Sequence, residues 1–212
     1  MSEPKTKADN VKEISSRLYH WKIHDDRIQF RSDSYAIRTD DGIVMIDPLP
    51  LTQEALEKLQ ESGDIKAICL TGRFHQRAAW RYQQKFGVNV YAPHNGKDFE
   101  GVPDELYKPG DNLPGNIEVI HSPGPTDAHY SFYADVNGEK ILFCADLLTR
   151  KDEQSVFGFV PDQYMDEPEK TRDSVRKLMD FEIDILCPDH GDPQIGSVKE
   201  AMEKALEKNS ES

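Results

Sequence analysis

Short apolar runs separated by stretches of helical spacing constrain this chain more than any other feature. Ile43-Val44-Met45-Ile46 is one such run, Ile65 to Leu70 a second and Val88 to Tyr91 a third. Each has the length and composition of a strand buried on both faces. Leu51 to Ser62 lies between the first two, with Leu51, Ala55, Leu56 and Leu59 at helical spacing and Gly63 as a stop. Gln76 to Phe86 reads as the next helix, with Gly87 placed to cap it. Upstream, Leu18 to Asp47 reads as β: Ser34 to Thr39 alternates, and Asp40-Asp41-Gly42 is a hairpin turn.

The second half changes character. Ile117 to Ile120, Tyr130 to Ala134 and Ile141 to Cys144 read as consecutive strands, with Val136-Asn137-Gly138 turning between the last two. A helix follows from about Glu167 to Met179, then a strand Ile183 to Cys187, then a helix Val198 to Glu207. Residues 1–14 read as a disordered tail, and residues 15–212 as one domain without an internal linker. Two β-rich halves dressed with helices imply an α/β fold of two packed sheets with helices outside.

Charge narrows the function. The chain has 26 basic and 39 acidic residues, a net −13, which repels nucleic-acid phosphates and anionic lipid surfaces. No apolar run is long enough to span a bilayer. Met1 to Asn10 lacks the apolar core of a signal peptide, so the expectation is a cytoplasmic protein. The partner expected is a small molecule, not nucleic acid or membrane; a homodimer is left open. Cys69, Cys144 and Cys187 each sit in an apolar run and read as buried, reduced core thiols. No phosphate-cradling glycine loop occurs, and Ser34 and Ser122 have no evident histidine base.

Five segments, in order, resemble the metallo-β-lactamase superfamily. They are GIVMIDP (Gly42 to Pro48), ICLTGRFHQRAAW (Ile68 to Trp80), IHSPGPTDAH (Ile120 to His129), LFCADLL (Leu142 to Leu148) and ILCPDHGDP (Ile185 to Pro193). They stand where that superfamily has a strand ending in aspartate, T-H-x-H-x-D-H, P-G-H-T, F-x-G-D and a late G-H-G loop. LTGRFHQRAAWRYQQKFG with GDNLPGNIEV and HGDP is similar to a subgroup with a rewritten metal motif. The resemblance implies the four-layer αββα sandwich of two mixed β-sheets with helices on the outer faces. It also implies hydrolysis of small esters, thioesters, lactones or phosphodiesters at a dinuclear zinc site, although fold alone does not transfer activity.

Carried over residue by residue, the zinc positions are largely rewritten. The two leading histidine positions hold Gly72 and Phe74, the aspartate position Gln76, the third histidine position Arg77 and the P-G-H-T histidine Pro125. Asp146, matching the bridging aspartate, and His190, matching the late histidine, are retained. Zinc takes imidazole, thiolate or carboxylate, four donors or three plus water; glycine, phenylalanine and proline offer none, and arginine stays protonated. No fully occupied metal or other cofactor is therefore expected. A single zinc, iron or manganese on Asp146, His190 and the out-of-phase His75 is the alternative. Arg77 is expected to fill the space of a lost zinc and pair with Asp146, with Arg73 and His75 beside it as ligand-binding residues; the competing expectation is an exposed arginine in the first helical turn. Two functions follow: a binder of a small anionic ligand, a catalytically impaired relative, or alternatively a hydrolase in which Asp146 and His190 are the catalytic candidates.

Overall fold

The computed structural model describes residues 3–208. They divide into two compact units, one ending at Asn116 and one beginning at Ile117. The division follows a tight turn in which Gly115 (φ +82°) and Asn116 (φ +56°) both take left-handed backbone. Glycine is required at 115, where a Cβ would lie 2.4 Å from Thr39 Cγ2. No long linker marks the boundary because this turn serves for one.

The first unit is a seven-stranded mixed sheet in the order β1-β2-β3-β4-β5-β6-β7. Its strands are β1 (Lys12–Ser15), β2 (Leu18–Asp25), β3 (Phe30–Thr39), β4 (Gly42–Ile46), β5 (Ile65–Cys69), β6 (Asn89–Pro93) and β7 (Glu105–Tyr107). β1 to β4 pair antiparallel, through the hairpin at Gly42. β4 to β7 pair parallel. The apolar runs seen in the sequence are these parallel strands, and α1 (Gln53–Gln60) and α2 (Ala79–Phe86) connect them. Thr52 caps α1 by accepting from Ala55 N–H; Gly87, at φ +63°, caps α2 as its position foretold. Trp21, Met45, Leu56, Leu59, Ile68 and Tyr82 form the core of this unit. A two-residue strand, β8 (Asn112–Leu113), precedes the boundary.

Two expectations fail here. Residues 3–14 are not a loose tail: Ala8 and Val11 are buried, and Lys12 opens β1. Ala8 donates to Pro50 O (2.9 Å) and accepts from Thr52 N (2.8 Å). Two isolated apolar residues give no periodic signal, yet they suffice to seat the segment on the core. The second failure is the start of α2, at Ala79 rather than Gln76. A 3-10 turn, η1 (Arg73–His75), comes first, and Arg77 at φ +40° breaks the helical path.

The second unit carries β9 (Ile117–His121), β10 (Tyr130–Val136), β11 (Glu139–Thr149), β12 (Ile185–His190) and β13 (Gln194–Ile195), in the spatial order β13-β12-β11-β10-β9. β9, β10 and β11 are an antiparallel meander; β11 and β12 pair parallel, and β13 returns antiparallel. A 3-10 turn η2 (Asp162–Tyr164) leads to α3 (Pro168–Leu178), and α4 (Val198–Lys208) follows β13. Leu142, Leu148, Phe157, Val175, Leu186 and Met202 build this unit's core. Both sheets are mixed and both carry helices, the α/β arrangement expected. Among the described residues, no helix is long and apolar enough to cross a membrane.

Candidate functional site

In the first unit the site begins where β4 ends. Asp47 is fully buried and sits at φ +46°. Its Oδ1 accepts the Thr71 N–H (2.9 Å) and its Oδ2 accepts the Thr71 hydroxyl (2.5 Å). With its proton committed to Asp47, Thr71 Oγ1 accepts from His75 Nδ1 at 2.8 Å. That nitrogen is also 3.3 Å from Asp47 Oδ2. His75 therefore carries a proton on Nδ1, in a buried position set by η1. Burial pushes the Asp47 carboxyl up, but the charge and hydrogen bond of His75, the charge of Arg77 and the Thr71 hydroxyl outweigh it. The group is held below the usual carboxylate range.

Arg77 is 3% exposed, which overturns the reading of it as a solvent residue of the first helical turn. Its Nη1 donates to Asp33 O (2.7 Å), to Asp47 O (2.9 Å) and, at longer range, to Ser34 Oγ (3.3 Å). Ser34 completes this knot by donating to Asp47 O (2.5 Å) and accepting from Leu49 N (2.8 Å). The guanidinium thus ties β3 to the end of β4. Arg73 differs: its side chain is 36% exposed, stacks over the Phe74 ring and pairs with Asp98 at 3.2 Å. His20 is buried and bonds Asp33 at 2.6 Å.

In the second unit β11 and β12 bring together the two retained residues. His190 Nε2 lies 3.2 Å from Asp146 Oδ1, with side chains 14% and 21% exposed. Asp146 follows Ala145, which is at φ +47° where the β11–β12 register shifts. His129 is buried; its Nδ1 donates to Ser122 O (2.7 Å), so Nε2 is left as the acceptor of the Asp146 N–H (3.2 Å). Both ring nitrogens meet backbone groups, and His129 holds the Asp146 amide in place. Ser122 Oγ does lie 3.1 Å from His129 Nδ1, a neighbour the sequence did not reveal. Nδ1 carries its proton and Ser122 is buried, so no activated nucleophile results. The three cysteines are buried, and burial pushes the Cys69 and Cys144 thiols up, as inert core residues require.

Phe74 and Gln76, which the resemblance set at metal-ligand positions, differ in surroundings. Phe74 is 58% exposed. Gln76 donates to Arg73 O (2.8 Å) and accepts from Trp80 Nε1 (2.9 Å) and Glu100 N (2.7 Å).

Residues 12–189 match the sequence profile of the Metallo-beta-lactamase superfamily, and the chain belongs to that superfamily. A hydroxyacylglutathione hydrolase from Albidiferax ferrireducens is 30% identical over 139 residues, covering 61% of this chain and 47% of that protein. The chain thus spans about half the length of this curated relative. The DIM-1 metallo-beta-lactamase structure superposes with a TM-score of 0.73 at 14% identity, over 96% of this chain and 99% of the other. A metallo-beta-lactamase from Pontibacter korlensis does so at 0.72 and 20% identity, over 95% and 99%. These likenesses show the fold anticipated from the five sequence segments.

Proposed function

We propose that this chain is a superfamily member whose dinuclear zinc centre has been dismantled, and that it binds a small anionic molecule instead of cleaving one between two metals. The observation that carries this reading is Arg77. A permanently charged guanidinium stands at a histidine-ligand position, buried and bonded to main-chain oxygens. A cation there repels a metal, and it meets the need of a buried carboxylate for a countercharge. Of the positions that hold the two metals, Asp146 and His190 are the donors retained, too few for a dinuclear site. The residues present do not fit that centre.

Arg73 suits the proposed ligand class. Its pairing with Asp98, whose side chain is 84% exposed, is solvent-screened and weak, so a carboxylate or phosphate can replace it. The experiment is a thermal-shift and calorimetric screen of small carboxylates and phosphates against the whole chain and its Arg73→Ala variant. A midpoint raised by one of these anions and unmoved in the variant supports the reading.

The second reading is a hydrolase using a single divalent metal or none. The 3.2 Å pairing of His190 with Asp146, partly open to solvent, favours it, as does the likeness to the hydroxyacylglutathione hydrolase from Albidiferax. Chelator-sensitive turnover of a thioester, lactone or phosphodiester would establish this reading and overturn the first.

A further inference from the structure

We propose that Arg150 is the positioning residue of the His190 loop, holding the imidazole against Asp146. This rests on the reading that Asp146 and His190 are the groups the second unit retains for function.

Arg150 follows the last residue of β11 and is 6% exposed. Its N–H donates to His190 O (2.9 Å), and the Thr149 hydroxyl donates to the same oxygen (2.7 Å). That carbonyl has both lone pairs engaged. The guanidinium then takes the following residues in turn. Nε donates to Asp192 O (2.7 Å), Nη2 to Pro193 O and Nη1 to the Gln194 amide oxygen (2.9 Å). The Phe157 ring covers its face, 4.6 Å from centroid to guanidinium carbon. One side chain thus fixes the loop at three residues, while its backbone fixes His190 itself.

Gly191 is part of the same device. At φ +154° it passes so close that a Cβ would lie 2.7 Å from Arg150 Cγ and 2.8 Å from Arg150 O. A residue with a side chain there would push the clamp and the histidine apart. Asp146 lies on the strand that Arg150 follows, so β11 supplies the carboxylate and leads directly into the clamp. Lysine cannot replace the clamp: a single ammonium cannot serve three oxygens laid out for a planar fork.

The test uses the whole chain, without metal or ligand, at one fixed pH. The imidazole Cε1–Hε1 signal of His190, assigned with His190→Gln, is recorded with and without Asp146→Asn, in wild type and in Arg150→Lys. The expected result is a large displacement of the signal by Asp146→Asn in wild type, collapsing toward zero in Arg150→Lys. A displacement of the same size in both backgrounds means Arg150 only stabilises the fold, and overturns the proposal. Gly191→Ala repeats the test from the other side of the clamp and serves if Arg150→Lys does not fold. Failure of the functional reading is seen separately, in metal content and ligand binding, which this spectrum does not measure.

Discussion

Arg77 Nη1 donates to the main-chain oxygen of Asp47 at 2.9 Å, while its charge helps keep the Asp47 carboxyl ionised. One side chain therefore satisfies Asp47 at two levels, backbone and charge. Replacing Arg77 with methionine takes one donor from each of Asp33 O, Asp47 O and Ser34 Oγ and leaves a buried carboxylate short of a cation. The expected loss is about 3–5 kcal/mol of stability, read from urea denaturation at neutral pH. Arg77→Lys should lose nearly as much, because an ammonium cannot reproduce the fixed geometry of the guanidinium. A methionine variant as stable as wild type would show that Arg77 does not hold Asp47 in place.

Acid should act through Asp47. Its folded pKa lies below the free-carboxylate value of 3.8. The unfolded chain thus takes up the proton first, and the stabilisation is complete above that value. It is lost as the pH falls from there through the folded pKa. The gap in unfolding midpoint between wild type and Asp47→Asn should be widest at neutral pH and narrow below about pH 4. A gap independent of pH would mean that Asp47 stabilises the fold by hydrogen bonding alone.

His129 makes a prediction that separates a holder from a ligand. His129→Phe keeps the ring's bulk and removes the acceptor of the Asp146 N–H, 3.2 Å away. The Ser122 carbonyl loses its donor as well. A destabilisation of about 1–3 kcal/mol is expected in thermal or urea unfolding. The same loss should appear with and without chelator. A loss that vanishes in chelator would make His129 a metal ligand after all.

Much of this architecture was legible in the sequence, for identifiable reasons. Ile43 to Ile46, Ile65 to Leu70 and the stop at Gly87 are local signals, and each matches an element or cap. Asp146 and His190 were readable from motif order, and β11 and β12 do bring them together. What stayed hidden depends on chain segments far apart in sequence. Thr71 gives no hint that its hydroxyl would bridge Asp47 and His75, and His129 none that it would accept the Asp146 amide. The role of Arg150 gives no local signal, because its acceptors are carbonyls some forty positions on. The start of α2 was misplaced because the left-handed turn at Arg77 follows from burial of its guanidinium, which periodicity does not report.

We propose that this member of the superfamily has exchanged its zinc centre for an internal cation. Elemental analysis of the whole chain, purified without chelator or histidine tag, tests it most directly, with Asp146→Ala and His190→Ala as controls. The expected result is zinc, iron and manganese each well below one per chain, the same in wild type and both variants. About one metal per chain in wild type, lost in both variants, would contradict it.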